Sequence, residues 1–395
     1  MRIRKYNSFP EESNSQKDMF STIPQSVKEL HSQFKDFGFK LFVVGGAVRD
    51  FFISQLGDGE FKPKDFDLAT DATPDDIIEI LQSYNYRFAS IGKAFGVIMV
   101  YTEDQPDGME IATFRDDQYG DKLGLTRNPD IKFSTIEKDV ERRDITFNSM
   151  FYDLDRREII DMKGGIKDIE DKIVRFVGDA DLRIKEDPLR ILRIIRFAAR
   201  YQFDISDDTI VSIMLNKNRL NIITKERIWE EFKKGFKNAK IFTEYLDLIT
   251  RFDLWDRIFP GARINTEINP CDYLVTYLAQ ILKWNSTKNM ETKMVQNFKI
   301  ESEIATKVVF LINLFELSTD NAPDLYKEKI RSNCQDSIIL DWLRVNRIKS
   351  NLFTSFIGYK PTVSAEDLMS KGFKGKELGI KIRELEKEKF KELLK

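Results

Sequence analysis

The apolar run Leu41-Phe42-Val43-Val44 ends abruptly at the pair Gly45-Gly46, and a second short apolar stretch, Phe66 to Ala69, carries Asp65 before it and Asp67 within it. Four strand-forming residues followed by two without side chains predict a strand that turns tightly into a helix, whose first turn holds Arg49 and Asp50. If the second stretch is also a strand, its period of two sets Asp65 and Asp67 on one face, where they can share a divalent cation. Backbone N–H groups at a helix start receive phosphate, and a carboxylate-bound cation neutralises it, so the glycines and the acids serve one task.

The 395 residues exceed one ordinary core, and a 42% hydrophobic content supplies two or more domains. Charged residues make up 32% of the chain with both signs mixed to a net charge of −2, and no long uncharged apolar window occurs, which excludes a membrane span. The N-terminus, Met1-Arg2-Ile3-Arg4-Lys5, lacks the apolar core of a signal peptide, so a cytoplasmic protein is expected. Cys271 and Cys334 have no metal-ligand spacing and fit packing roles in a reducing compartment. The sole histidine, His31, lies in an amphipathic helical stretch, and chemistries that need several imidazoles, such as zinc hydrolysis or a Ser-His-Asp triad, are excluded.

Residues 1–22 are polar and predict an N-terminal extension. A mixed region over 23–155 follows, with a helix over 23–37, strand-like runs at 40–44, 65–69, 96–101 and 109–114, and a helix over 75–84. The segment 116–138 is rich in turn residues without periodicity and predicts a long mobile loop. Beyond about 156 the pattern is helical almost throughout, and Leu246, Leu248, Trp255, Trp284, Phe310, Leu314 and Trp342 are expected in its core. The fold class expected is α+β, a small mixed sheet followed by an all-helical remainder.

Further residues suit the same chemistry. Glu110, on a neighbouring strand, either supplies a third carboxylate or points outward, and its sequence context leaves both readings open. Arg142-Arg143-Asp144, with Asn148 four residues on, gathers cations, an acid and an amide suited to triphosphate and ribose hydroxyl contacts. In Glu186-Asp187-Pro188-Leu189-Arg190 the proline fits a first helical turn, so an Asp acceptor and an Arg donor stand side by side and match the hydrogen-bonding edge of a base. Arg193, Arg196 and Arg200 continue along that helix, suited either to intramolecular ion pairs or to an RNA or triphosphate backbone.

As a set these residues resemble the class II tRNA nucleotidyltransferases, the bacterial-type CCA-adding enzymes, and their poly(A) polymerase relatives. Gly45 to Asp67 looks like the family's catalytic motif, Arg142 to Asn148 like its ribose-selecting motif, and Asp161 to Asp168 like the connection into a neck. Glu186-Asp187 with Arg190 resembles the amino-acid template for the incoming base, and Glu226-Arg227 the helix-stabilising motif after it. Two features depart from the pattern: the gap between Asp50 and Asp65 is long, and Ile145 stands where phenylalanine is common.

The resemblance implies a polymerase-β-like palm over 23–155, a helical neck over 156–240 and a helical body and tail over 241–395 that grips the tRNA acceptor arm. The sequence leaves monomer and homodimer both open. The resemblance also implies addition of CCA to tRNA 3′ ends from CTP and ATP; with it, two Mg²⁺ are expected on Asp65 and Asp67, with Glu110 either a helper or turned outward, and the triphosphate on Gly45, Gly46 and Arg49. Poly(A) addition to RNA 3′ ends is the alternative. In the family, a flexible loop at the place of 116–138 accompanies addition of the terminal A.

Overall fold

The computed structural model describes residues 4–6, 18–57, 66–119, 130–348 and 350–394, the first three through their backbone only. The chain divides into two compact units, Met1–Ile223 and Thr224–Lys395.

In chain order the first unit contains β1 (Arg4–Tyr6), α1 (Met19–Thr22), α2 (Gln25–Asp36), β2 (Leu41–Val44), α3 (Gly46–Gln55), β3 (Asp67–Thr70), α4 (Pro74–Ser83), β4 (Arg87–Ala89), β5 (Val97–Tyr101) and β6 (Met109–Thr113). There follow β7 (Arg115–Gln118), β8 (Asp130–Phe133), α5 (Ile136–Arg142), β9 (Phe151–Asp153), β10 (Glu158–Asp161), α6 (Gly165–Glu170), β11 (Ile173–Val174), α7 (Ala180–Glu186), α8 (Arg190–Tyr201), β12 (Asp204–Ile205) and α9 (Asp207–Asn216). Eight strands form one sheet in the order β1-β10-β9-β2-β3-β6-β5-β4. The β3–β6 pair is parallel and its other pairs are antiparallel, which makes the sheet mixed as expected.

The helices expected over 23–37, after the glycine pair and over 75–84 form as α2, α3 and α4, the first and last for local reasons. In α2, Val27, Leu30 and Phe34 recur at helical spacing and are fully buried. Thr73 and Asp76 close a reciprocal capping box at the start of α4, with Pro74 at its first position. On one sheet face Phe42, Phe114 and Phe151 meet with ring centroids 5.9–6.2 Å apart, joined by Val44, Ala69 and Val140 of α5. Val43, Leu68, Ile111 and Tyr152 are buried on the other face.

Two expectations for the first unit are corrected. The segment 116–138 is not one structureless loop: β7 and β8 pair from Arg115↔Phe133 to Gln118↔Asp130, and α5 begins at Ile136. The strand Arg-Asp-Asp-Gln has no apolar residue and hence no hydrophobic alternation to betray it. Along one side of β7 itself, Arg115 Nε lies 2.8 Å from Asp117 Oδ1, an ion pair within the strand. Residues 120–129, the middle of that expected loop, lie outside the described residues. The second correction is β10, with the two-residue strands β11 and β12, inside the stretch expected to be helical almost throughout; two to four residues are too few for periodicity to separate strand from helix.

The turn after β10 is built by one carboxylate. Asp161 accepts the backbone N–H groups of Lys163, Gly164, Gly165 and Ile166 at 2.9–3.1 Å, satisfying donors at the start of α6. Asp168 on α6 then takes Thr146 Oγ1 at 2.7 Å and Arg175 Nε at 3.1 Å, tying the turn to the segment after α5.

Among the described residues of the second unit every element of regular secondary structure is a helix, from Lys225–Asn238 to Gly375–Glu392. Leu246, Trp255, Phe310, Leu314 and Trp342 are buried in it as expected, and Leu248 is half-buried. Trp284 is corrected: it is 55% exposed just past the helix Leu274–Leu282, with the Lys283 ammonium 4.8 Å from its ring. An aromatic residue that presents one face to a cation needs no core. Glu386, on the last helix, is buried where it accepts Tyr359 Oη and the backbone N–H groups of Thr362 and Val363.

Candidate active site

The centre of the first unit's sheet brings the glycine corner and one of the two acids together. Val44 pairs with Asp67, so the last residue of β2 before Gly45 stands directly across from the first residue of β3. Gly45 adopts φ 71°, a left-handed conformation that only glycine takes without strain, and α3 starts at the next residue. The Asp67 carboxylate is exposed at the strand's start and shares its face with Ala69 and the aromatic cluster.

The parallel register Leu68↔Ile111 sets Glu110 one residue before Ile111, level with Asp67 and on the same face, exposed between buried neighbours. Two hard oxygen donors on adjacent strands, outside the packed core, fit an ion of the magnesium type. Among the described residues no group of three His, Cys, Asp or Glu converges on one point; Asp65 lies outside the described residues.

Arginine reaches the same end of the sheet from α5. The Arg143 guanidinium lies 4.9 Å over the Phe151 ring, and its Nη1 is 3.9 Å from the place a Cβ on Gly45 would occupy. Its orientation is set by Asp139, a residue absent from the sequence-based expectations. Asp139 is 1% exposed, with Arg142 Nη2 at 2.6 Å on Oδ1 and Arg143 Nη2 at 2.8 Å on Oδ2. Burial by itself would raise the Asp139 carboxyl, but Arg143 and Arg142 outweigh it and hold the group below the usual carboxylate range. Asp139 stands three and four residues before these arginines on one helix, a spacing that is visible in the sequence.

Arg49 is placed elsewhere than expected. Instead of facing phosphates from the first turn of α3, it is buried, with Nε 2.8 Å from Asp50 and Nη1 2.5 Å from Asn148 Oδ1, and it stacks 5.3 and 5.2 Å from the rings of Phe197 and Tyr201. Asp50 also takes Arg200 Nη2 at 3.1 Å and Tyr201 Oη at 2.6 Å. This cluster fastens α8 to α3. Asp144 plays a matching part farther along α8, with its Oδ2 2.5 Å from Arg193 Nη2 and its Oδ1 receiving the Ile145 N–H at 2.9 Å. Burial opposes ionisation of Asp144, yet Arg193 and Arg190 prevail and bring its pKa down to about 2. Arg196 is buried, its guanidinium 4.3 Å from the Phe197 ring. Of the two readings of the arginine series, intramolecular pairing describes Arg193 and Arg200.

Glu186 and Arg190 form the other centre. Glu186 Oε2 lies 2.6 Å from Arg190 Nη1, and Oε1 lies 2.6 Å from Arg183 Nη2, a second partner that sequence reasoning missed. Burial lifts the Glu186 carboxyl above its ordinary range, and the two guanidiniums oppose the rise. Asp187 is half-buried, and its Oδ1 accepts the Leu189 N–H at 3.1 Å ahead of α8. Arg190 also donates from Nη1 to the Arg183 carbonyl and from Nη2 to the Arg142 carbonyl, each at 3.2 Å. Among the described residues these bonds leave its Nε–H and one Nη2 hydrogen uncommitted, a pair of donors able to meet the acceptors of a base.

Comparison with known proteins identifies the family and the fold. Residues 41–175 match the family described as Poly A polymerase head domain, and residues 202–264 match the probable RNA and SrmB-binding site of polymerase A. CCA tRNA nucleotidyltransferase 1, mitochondrial, of Homo sapiens is 38% identical over 74% of this chain and 67% of its own. Poly(A) polymerase I of Salmonella typhi is 31% identical over 71% of this chain; the match spans 58% of that relative's length. The crystal structure of Bacillus stearothermophilus CCA-adding enzyme in complex with CTP superposes with a TM-score of 0.69 at 20% identity, covering 94% of this chain and 92% of that one, which shows a shared fold. With a head-domain match that starts at the diglycine strand and a relative aligned over two thirds of its length, this chain belongs to the family of tRNA nucleotidyltransferases and bacterial poly(A) polymerases.

Proposed function

We propose that this protein extends RNA 3′ ends without a nucleic-acid template, adding CCA to tRNA from CTP and ATP. The observation that carries the reading is the meeting of Asp67, the Gly45 corner and Arg143 at one end of one sheet face. Two readings compete within the family. The human CCA enzyme, at 38% identity over the longer share of its own chain, favours CCA addition, while the name of the head-domain family favours poly(A) addition.

The family generally uses divalent metals. Asp65 and Asp67 would hold two Mg²⁺, with Glu110 beside them. When bound, such ions polarise the reacting phosphate and ease deprotonation of the attacking hydroxyl. The N–H groups at the Gly45–Gly46 corner and the Arg143 guanidinium would receive the triphosphate, with Arg142 aligned beside Arg143 by Asp139. Asp144 with Arg193 would face the ribose, Asn148 and Arg49 would support the corner from behind, and Asp187 with Arg190 would meet the base while Glu186 holds Arg190. The tRNA 3′ oxygen then forms a bond to the α-phosphorus, and pyrophosphate leaves.

In this scheme residues 23–155 act as palm, 156–240 as neck and 241–395 as a body and tail that hold the acceptor arm. No helix among the described residues is long and apolar enough to cross a membrane. Activity in the cytoplasm, as a monomer or homodimer, is part of the proposal.

The test is incorporation with defined ends. A tRNA lacking CCA should gain two C residues with CTP alone and a terminal A when ATP is added. Long A tails on unrelated RNA would transfer the assignment to poly(A) polymerase. Asp67→Asn should abolish incorporation while the chain still folds, since the side chain lies outside the core; wild-type turnover by this variant would remove Asp67 from the reacting centre.

A further inference from the structure

We propose that Arg183 is a positioning residue for base selection: by holding one oxygen of Glu186 and one end carbonyl of α5, it fixes the edge that Arg190 presents to the incoming nucleotide. The inference rests on the proposed role of Arg190 as base reader.

The argument starts from how Glu186 is divided. Its two carboxylate oxygens go to two different arginines, Oε1 to Arg183 and Oε2 to Arg190, at 2.6 Å each. A carboxylate with a single partner rotates about its last bond and lets that partner drift. One buried between two guanidiniums cannot turn without breaking a charge-assisted bond. Arg183 is itself anchored, donating from Nη1 to the Glu141 carbonyl at 2.7 Å.

That carbonyl and the next one, Arg142 O, which receives Arg190 Nη2, are the last two of α5, where unpaired acceptors and the negative end of the helix favour cations. Arg183 and Arg190 therefore straddle one helix end, with Glu186 between them. The backbone carbonyl of Arg183 accepts Arg190 Nη1 as well, closing the ring of contacts.

Arg183 gives up something for this placement. Its Nε–H is buried and has no acceptor among the described residues, so the guanidinium is held where it serves Glu186 and Glu141 rather than where all its donors are satisfied. Burial works to lower the Arg183 pKa, against the pull of Glu186. The same α5 turn carries Arg142 and Arg143, so the donors for the base and those for the triphosphate share one frame.

The experiment uses the full chain with Arg183→Lys and Arg183→Met. Binding of CTP and of UTP is measured by calorimetry, and incorporation of each into tRNA lacking CCA is measured in parallel. Arg183→Met should reduce the preference for CTP over UTP at least about tenfold, a scale typical of a reacting or reading group displaced by an ångström or less. Arg183→Lys, which can reach Glu186 or the carbonyl but not fork between them, should fall between Met and wild type. Pyrophosphate inhibition, which reports the triphosphate pocket, should hold constant.

An unchanged CTP:UTP ratio in both variants overturns the proposal, as does an equal loss for every nucleotide, which marks a merely structural residue. A wild-type chain that extends no RNA would instead sink the assigned activity, and the binding ratio alone would then decide the role of Arg183.

Discussion

Replacing Asp139 with Asn changes one atom of a buried carboxylate and asks what it does for Arg142 and Arg143. In the native chain, Oδ1 takes Arg142 Nε at 2.8 Å and Nη2 at 2.6 Å, and Oδ2 takes Arg143 Nε at 2.9 Å and Nη2 at 2.8 Å. Oδ1 also receives the Arg115 N–H at 3.3 Å. In Asp139→Asn one oxygen becomes an NH₂ group that points its hydrogens at a guanidinium with no acceptor to offer. One bidentate contact is lost, and two cations remain beside a neutral group. Breaking a buried ion pair by removing one partner costs about 3–5 kcal/mol. The arginine side chains are 18% and 17% exposed, so water recovers part of this, and the lower figure of about 3 kcal/mol applies.

For a unit of some 223 residues each kcal/mol moves the midpoint by about 2–4 °C, giving a fall of about 6–12 °C in the transition of the first unit. Differential scanning calorimetry on the full chain reads this directly. A midpoint within about 2 °C of wild type would refute the reasoning, because it would mean that the arginines hold their places without the buried charge. The same variant should raise the KM for nucleotide more than it lowers kcat, since Arg143 borders the glycine corner.

Two further expectations concern the first unit. The folded Asp144 carboxyl, at about 2, lies below its ordinary 3.8, so the pair with Arg193 stabilises fully above pH 4 and loses that contribution as pH falls through 4 toward 2; Asp144→Asn should flatten this acid limb in denaturant titrations, and an unchanged limb counts against the pair. Gly165→Ala would place a Cβ 2.6 Å from the Thr146 carbonyl oxygen and 2.8 Å from Phe147 Cα, both backbone atoms that cannot swing aside, so a loss of about 1–3 kcal/mol is expected by urea unfolding, and a neutral result would show that α6 slides freely over that turn.

What the sequence determined by itself was local. Leu41 to Val44 ending at a glycine pair, the helical run over 75–84, and the helical recurrence of Val27, Leu30 and Phe34 each specify backbone geometry within a few residues, and each element formed where expected. Motif order alone also sufficed to bring Asp67, Arg143 and Arg190 into one family pattern. The polar strand Arg115–Gln118 and the short strand Glu158–Asp161 were hidden, because strand pairing is a long-range property and neither segment is long or apolar enough to announce it.

Tertiary structure decided which charges face the site and which hold it together. Arg49, Arg142, Arg143, Arg183, Arg190 and Arg193 are chemically alike in a sequence, and each suits a phosphate equally well. Only packing assigns Arg49 to a buried cage of Asn148 and aromatic rings, Arg193 to Asp144, and Arg183 with Arg190 to a shared Glu186. A guanidinium removed from water must find an acceptor within about 3 Å, and which acceptor lies there depends on how β2, α5 and α8 come together, not on the residues beside it in the chain.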